Sequence, residues 1–357
     1  MAIRYGRHGC GCSRPTDRAL ALTLLLGCSL FVGLAHSGAA AGAERHCSAT
    51  ALLQHTACRN EVRDDHFTAR AICRNESDED ERRDCLADAE ATLREDYRLC
   101  RAQRGARLEL CDALGEDRYD PDFSPALFEH DFTLLGVPNP YFPLGIGSRW
   151  KYQGGDEVIV VQVRNRTKLI EGVTCIVVND RVEEEGVVIE NTDDWFGHRK
   201  NGTVDYCGEI SRNFEIFEGD VPELPELVDV EGSWKAGRDG DRSGTQFLRW
   251  PTVGTIYRQE WSPGNAEDVA RVVSISYRYG DEPELDRFVP RALAGLLCAA
   301  GDCVVTAELT PIEPGELEYK YYAAGIGLFL EVDPKSGDIV QLVECNVDPR
   351  CTILPAP

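Results

Sequence analysis

Hydrophobic and polar positions follow different periods in the two halves of the chain. Between Cys47 and Arg118 the sequence contains no proline and is rich in alanine and charged helix formers, which predicts helices. Beyond residue 148, short runs of β-branched residues separated by turn sequences predict strands. The segment 117–148 is rich in proline and aromatic residues and predicts an extended connector. We therefore expect an α+β protein with a helical hairpin at 44–116 and a β domain at 149–357.

Short strands dominate the predicted β domain. Val273, Ile275 and Tyr277 alternate with mostly polar neighbours, as in a strand with one buried face. The predicted strands cover 158–163, 173–182, 187–190, 254–261, 271–279, 303–309, 316–322, 326–332 and 338–344. Turn sequences lie at 165–167, 185–186, 200–202 and 333–337. Only 265–269 suggests a further helix, so the pattern favours one antiparallel, strongly curved sheet or barrel.

Six cysteines in the helical region are spaced as a palindrome. They are Cys47, Cys58, Cys73, Cys85, Cys100 and Cys111, with steps of 11, 15, 12, 15 and 11 residues. On a helix these steps keep each set of three cysteines within about 80° of one face. The spacing therefore predicts two antiparallel helices, 49–75 and 80–113, joined by Cys47–Cys111, Cys58–Cys100 and Cys73–Cys85. A metal site is disfavoured because the region lacks a C-x-x-C pair.

The first 43 residues have the pattern of a secretory signal peptide. Four arginines precede an apolar run from Ala19 to Ala35, and the small residues at 41–43 offer a cleavage site. The sequence Leu25–Cys28 permits an alternative, a lipid anchor on Cys28. No other segment is apolar enough to predict a transmembrane span. We therefore expect an exported protein, periplasmic or extracellular.

Export and the number of cysteines together predict further disulfides. The leader contains three of the 15 cysteines, so an even number remains, and exported proteins usually pair such cysteines. The economical pairs in the β domain are Cys175–Cys207, Cys298–Cys303 and Cys345–Cys351. Sequence alone leaves other connectivities open, because six cysteines can pair in 15 ways.

The chain is strongly acidic, with 61 Asp and Glu against 38 Lys and Arg and a net charge of −23. Nucleic acid is therefore a poor partner, because little positive charge is present to neutralise phosphates. Six carboxylates lie between residues 75 and 84, and Glu76, Asp78 and Asp80 are candidate ligands for calcium. A solvated acidic turn explains the same cluster, since the EF-hand pattern is absent. No other cofactor is expected.

Candidate catalytic residues are few. His198 is the only histidine in the β domain, no nucleophile elbow is present, and we interpret His198 as an exposed hairpin residue. Paired-carboxylate chemistry needs no histidine, so Glu190, Asp193 and Asp194 beside Trp195 and Phe196 suggest a glycosidase-like alternative. With so many acids in the chain, such a neighbourhood also arises by chance. We therefore favour a protein that is not an enzyme.

Aromatic residues on the predicted strands suggest binding. Seven of them could face one interior of a curved sheet and enclose a small apolar ligand: Trp150, Tyr152, Trp234, Tyr257, Trp261, Tyr319 and Tyr321. The same residues could simply fill the core. A third hypothesis is a structural or adhesive surface protein that projects its hairpin as a stiff arm. The prediction is thus an exported, non-enzymatic binding or interaction protein with a ligand or protein partner, whose oligomeric state stays open.

Two motifs add a resemblance. The segment Asn139–Leu144 followed by Trp150-x-Tyr152, and the closing segment Tyr319–Ala323 with Gly325, Gly327 and Leu328, resemble secreted bacterial β-sheet proteins of uncharacterised function. The resemblance covers about residues 120–345. It implies an envelope or extracellular β domain and identifies no site residues.

Overall fold

The computed structural model describes residues 45–357, so the predicted signal peptide and Cys28 lie outside the described residues. Two long helices come first, α1 (His46–Arg74) and α2 (Glu79–Leu114). Asp78 is the N-cap of α2, because its carboxylate accepts hydrogen bonds from the backbone N–H groups of Asp80 and Glu81. The helices form the predicted antiparallel hairpin. Each helix in residues 45–357 is too polar or too short to cross a membrane.

Three disulfides join α1 to α2 in the predicted order. The paired Cα atoms are 5.6 Å apart in Cys47–Cys111, 5.8 Å in Cys58–Cys100 and 5.6 Å in Cys73–Cys85. These separations are typical of disulfide-bonded cysteines on facing sides of two packed helices. Ala51 and Ala89 are also buried in the hairpin.

The β domain is one antiparallel sheet of sixteen strands that curves into a nearly closed barrel. The strands are β1 (Arg149–Gly154), β2 (Glu157–Ile170), β3 (Val173–Glu184), β4 (Val187–His198), β5 (Val204–Ile210), β6 (Asn213–Glu215), β7 (Glu226–Asp229), β8 (Trp234–Lys235), β9 (Arg242–Phe247), β10 (Ile256–Arg258), β11 (Glu260–Trp261), β12 (Val269–Tyr277), β13 (Cys303–Leu309), β14 (Glu318–Ala323), β15 (Gly327–Val332) and β16 (Ile339–Cys345). The predicted α+β class and curved sheet are confirmed. The first and last strands in sequence do not lie at the ends of the sheet, because β16 pairs with β1 in the middle of the strand order.

A bent segment brings the two ends of the sheet together. Strand β10 pairs with β12 at one end, and β11, only one residue further along, pairs with β9 at the other end. The bend lies at Gln259, whose backbone N–H donates to the carbonyl of Asp268 at 2.8 Å. Gly244 on β9 leaves room for it, since a Cβ atom at this position would lie 1.9 Å from the carbonyl oxygen of Gln259. Close backbone approach therefore requires glycine at position 244.

Several local predictions are wrong. The sequence Asn165–Thr167, expected to be a turn, lies inside β2, where the register with β3 shifts between Val163 and Thr167 and forms a bulge. Residues 265–269 do not form a helix; Ala266 instead makes an isolated bridge to Ser262. The third helix, α3, lies at Arg291–Leu297. Strand β1 and strands β5 to β9 were not predicted.

The hairpin docks on the β domain through polar contacts near its base. The guanidinium of Arg107 on α2 donates to both carboxylate oxygens of Glu267 at 2.8–3.1 Å, and both side chains are buried. Gln103 donates to the carbonyl of Ile312 at 2.8 Å. Tyr119 in the connector donates to the carbonyl of Ser243 at 2.9 Å. The other three disulfides, Cys175–Cys207, Cys298–Cys303 and Cys345–Cys351, all lie within the β domain and follow the economical pairing.

Candidate functional site

The interior of the barrel contains a buried ion-pair network around Lys320. The Lys320 ammonium lies 3.1 Å from Glu308, 3.7 Å from Glu318 and 3.8 Å from Glu331. Tyr322, which also contacts Phe247 across the interior, donates a hydrogen bond to Glu308. Burial opposes ionisation of Glu308, but the charge of Lys320 and the hydrogen bonds from Lys320 and Thr306 together outweigh it, so the pKa of Glu308 lies below its ordinary value. The lysine therefore allows several carboxylates to remain inside an apolar core.

A second set of interior carboxylates lies around Tyr206 and Asp180. Burial raises the pKa of Asp194 to about 6 and raises that of Asp180 well above its ordinary value. The Tyr206 hydroxyl lies within hydrogen-bond distance of both Asp194 and Glu209. Because a phenol has one proton to donate, the second contact requires a protonated carboxyl group. The network thus favours at least one neutral acid in the folded state.

His198 is fully buried, so its interpretation as an exposed hairpin residue is wrong. Strand β4 continues to residue 198 and places the imidazole on the same inward face as Phe196. Neither ring nitrogen has a hydrogen-bond partner of normal geometry within residues 45–357. Burial lowers the pKa of His198, which keeps the ring neutral. A buried ring without an acceptor partner is unlike the histidine of a catalytic triad.

Of the three carboxylates in the glycosidase hypothesis, Glu190 and Asp194 lie on the inner face of β4 and Asp193 lies on the outer face. Asp193 lies on the outer face of β4, 3.1 Å from Arg166, whereas Asp194 points inward to Tyr206. Glu190 accepts a hydrogen bond from Thr192 at 2.7 Å. The ring of Trp195 lies under the Lys168 ammonium, which is 3.3 Å from the ring centroid. Asp193 and Asp194 therefore cannot act as facing carboxylates on one sugar.

The seven predicted ligand-binding aromatics do not gather around one space. Trp150 donates to the carbonyl of Ile326 at 2.8 Å, and Tyr321 donates to that of Leu285 at 2.6 Å. Tyr321 and Tyr319 alternate with Lys320 on β14, so they lie on the face opposite the interior network. Trp261 packs on Tyr119 of the connector at 5.9 Å between ring centroids. The remaining three side chains are buried or half-buried: Tyr152, Trp234 and Tyr257.

The candidate calcium ligands contact backbone donors. Glu76 accepts hydrogen bonds from the N–H groups of Ser77 and Asp78, and Asp78 caps α2. Asp80 forms a salt bridge with Arg83 at 2.9 Å. Across residues 45–357, no group of three or more His, Cys, Asp or Glu side chains is arranged to hold a metal ion. Calcium binding at this turn stays a prediction.

Thermal stability should increase on mild acidification. The pKa values of Asp194 and Glu331, raised by burial to about 6 and about 7, exceed their unfolded values, so their contributions are lost as pH rises through that range. His198, whose pKa is lowered, acts in the opposite direction below pH 6.5. We expect calorimetry to give the highest Tm near pH 5–6 and a Tm lower by several degrees at pH 8. A Tm that rises steadily from pH 5 to 8 would contradict this.

The outer face of strands β1–β4 is basic, in contrast to the chain as a whole. Six cations form this basic face: Arg149, Lys151, Arg164, Arg166, Arg181 and Arg212. All of them except Arg212 line two shallow depressions of about 330 and 390 Å³. The two depressions share Arg164 and Asn179, and Val158 and Val160 line the first.

Half of the positive charge on the basic face is not neutralised locally. Three carboxylates pair with four of the cations: Glu344 with Arg149, Glu183 with Arg181, and Asp193 with both Arg166 and Arg212. Arg164 instead donates to the neutral oxygens of Gln162 and Asn179. Lys151 and Arg164 therefore have no ion-pair partner within residues 45–357. Such a surface attracts anionic groups.

Residues 213–231 form an exposed two-stranded projection that we call the acidic ribbon. It contains seven carboxylates and no Lys or Arg. Seven large apolar side chains of the ribbon are exposed by 38–97 %: Ile216, Phe217, Val221, Leu224, Leu227, Val228 and Val230. Strands β6 and β7 pair with each other, and only Asn213 pairs with the main sheet, opposite Glu190 on β4.

Sequence reasoning missed both surfaces, although the ribbon had a readable signal. Its alternating acids and apolar residues, free of basic residues over 213–231, could have been recognised directly. The basic face could not, because its cations are scattered along the chain from 149 to 212 and meet only when four strands pair in register.

Comparisons with known proteins identify no relative: no family model matches the chain, and neither curated proteins nor solved structures give a significant match.

Proposed function

We propose that this protein is an exported, non-enzymatic interaction protein that binds a basic partner through the acidic ribbon. Six disulfides indicate an oxidising, exported environment. The observation that supports binding is the exposure of seven large apolar side chains among seven carboxylates on one projection. Large exposed apolar patches on soluble proteins mark interaction sites.

The ribbon has little support from its own chain. Strands β6 and β7 contain three and four residues, and two short strands are marginally stable alone in water. A partner that covered Leu224 and Leu227 would bury surface that the β domain leaves in solvent. Complete burial of such a side chain contributes about 1.5–3 kcal/mol. Apolar residues thus supply affinity in this proposal, and the surrounding acids select a basic partner.

The interior of the barrel is a weaker candidate for ligand binding. Trp150 already bonds to a backbone carbonyl, and Lys320 is surrounded by the chain's own carboxylates. A ligand there would have to replace these contacts, whereas a partner at the ribbon would add contacts to exposed groups. Binding at the ribbon therefore costs less free energy than binding in the interior of the barrel.

A cationic amphipathic peptide of lysine and leucine tests the proposal. We expect isothermal titration calorimetry to detect one site per chain, with affinity that falls as salt is increased. The double change Leu224→Ser with Leu227→Ser should weaken binding about thirtyfold, since each leucine would contribute of order 1 kcal/mol when partly buried. The double change Glu223→Gln with Glu226→Gln should reduce the salt dependence.

The hairpin tip provides the matched control. Glu79→Gln with Glu81→Gln removes the same charge from exposed residues in the first turn of α2, which are not part of the ribbon. Binding should be unchanged in this variant. Equal losses in the ribbon and tip variants would mean that the peptide senses only net charge, and the proposal would fail.

A further inference from the structure

The acidic ribbon and the basic face are neighbours on the molecule. Arg212, a member of the basic face, immediately precedes the ribbon, and its guanidinium donates to the carbonyl of Asn191 at 3.2 Å. Asn191 lines the second depression of the basic face. Each copy of the chain therefore presents, side by side, an acidic apolar projection and a basic depression.

The two surfaces are complementary in charge and in apolar content. The basic face has six cations and three carboxylates around its depressions, where Val158 and Val160 are accessible. The ribbon offers seven carboxylates and seven exposed apolar side chains. In a chain of net charge −23, the basic face is a surface that attracts an acidic segment.

We infer that the acidic ribbon of one copy binds the basic face of a second copy, and that the contact is made twice in a reciprocal dimer. The inference rests on the proposed function and names the partner as this chain itself. A two-fold axis between adjacent complementary surfaces brings each ribbon onto the other copy's basic face. Two such contacts bury twice the area of one, which favours a reciprocal dimer over a single contact.

The self-association is tested by charge reversal in the full exported chain. The face variant is Arg164→Glu with Arg181→Glu, and the ribbon variant is Glu223→Lys with Glu226→Lys. Sedimentation velocity over 1–100 μM should give a dimer for the unaltered chain and a dimer Kd raised at least tenfold for each variant alone. Far-UV circular dichroism and the Tm establish that both variants are folded.

Mixing the two variants is the decisive measurement. In the mixed dimer, the reversed face meets the reversed ribbon, and the unaltered face meets the unaltered ribbon, so both contacts are attractive. An equimolar mixture should therefore regain the dimer. Arg94→Glu with Arg98→Glu makes the same charge change on exposed residues of α2 and should leave the dimer intact.

Three results would overturn the inference: a monomeric unaltered chain at 100 μM, a face variant that dimerises normally, or a mixture that stays monomeric. A monomeric chain that still binds the cationic peptide would reject the second copy as partner and retain the proposed function. Loss of peptide binding by the tip variant alone would instead remove the ribbon from both proposals.

Discussion

Methionine in place of Lys320 is expected to destabilise the β domain by about 3–5 kcal/mol, the usual effect of removing one partner from a buried ion pair. Three carboxylates lie within 4 Å of the ammonium, and Lys320 itself is 2 % exposed. Methionine keeps most of the side-chain volume, so the change tests charge more than packing. Calorimetry at pH 8 should show a Tm lower by roughly 6–20 °C.

The same variant should recover part of its stability in acid. Burial already raises the pKa of Glu331 to about 7, and loss of the lysine raises it further, so acidification neutralises the unpaired carboxylates. The Tm deficit should therefore be smaller at pH 5 than at pH 8. Combining Lys320→Met with Glu331→Gln should reduce the deficit at pH 8. Lys151→Met, on the outer face of β1, is the control and should change the Tm by little.

Arg107→Met is expected to release the hairpin from the β domain without unfolding either part. The variant leaves the Glu267 carboxylate buried and without its bidentate partner, which costs about 3–5 kcal/mol. Three disulfides retain the helices side by side, so far-UV circular dichroism should change little. Hydrogen exchange should instead become faster around Gln103 and in segment 262–268, where the docking contacts lie.

Two further variants separate the ion pair from general packing. Arg104→Met alters an exposed arginine on the same helix and should leave hydrogen exchange unchanged. Arg107→Met with Glu267→Met removes both charges and should restore most of the protection, because an apolar pair of similar volume often replaces a buried ion pair. If the single change affects exchange no more than the control does, Arg107 does not hold the hairpin in place.

The hairpin could be predicted in detail because the spacing of its cysteines reflects which cysteines lie opposite each other in the fold. A palindrome of steps implies two antiparallel rods, and the helical period places three cysteines on each facing side. Few other features of a sequence encode pairing so directly. The observed helices differ from the predicted ones by at most three residues at each end, which is within the usual uncertainty of helix boundaries.

The β domain was harder to predict because its pairing is long-range. Strand β9 has the polar sequence RSGTQF and is a strand only because β5 and β11 pair with it. The burial of His198 likewise depends on strands far apart in sequence. The basic face required the register of β1–β4, which no local pattern contains. The fold class and the curvature of the sheet could be predicted from the composition of the sequence. The candidate surfaces could not, because they depend on strand pairing.

The nested crosslinks of the hairpin have a consequence for proteolytic nicking. The exposed turn between Cys73 and Cys85 lies inside all three rungs of the ladder. A single cut there would interrupt the backbone, yet every residue on either side would stay covalently attached. The nicked molecule would migrate as one band in a denaturing gel and separate into two fragments only after a thiol reductant was added.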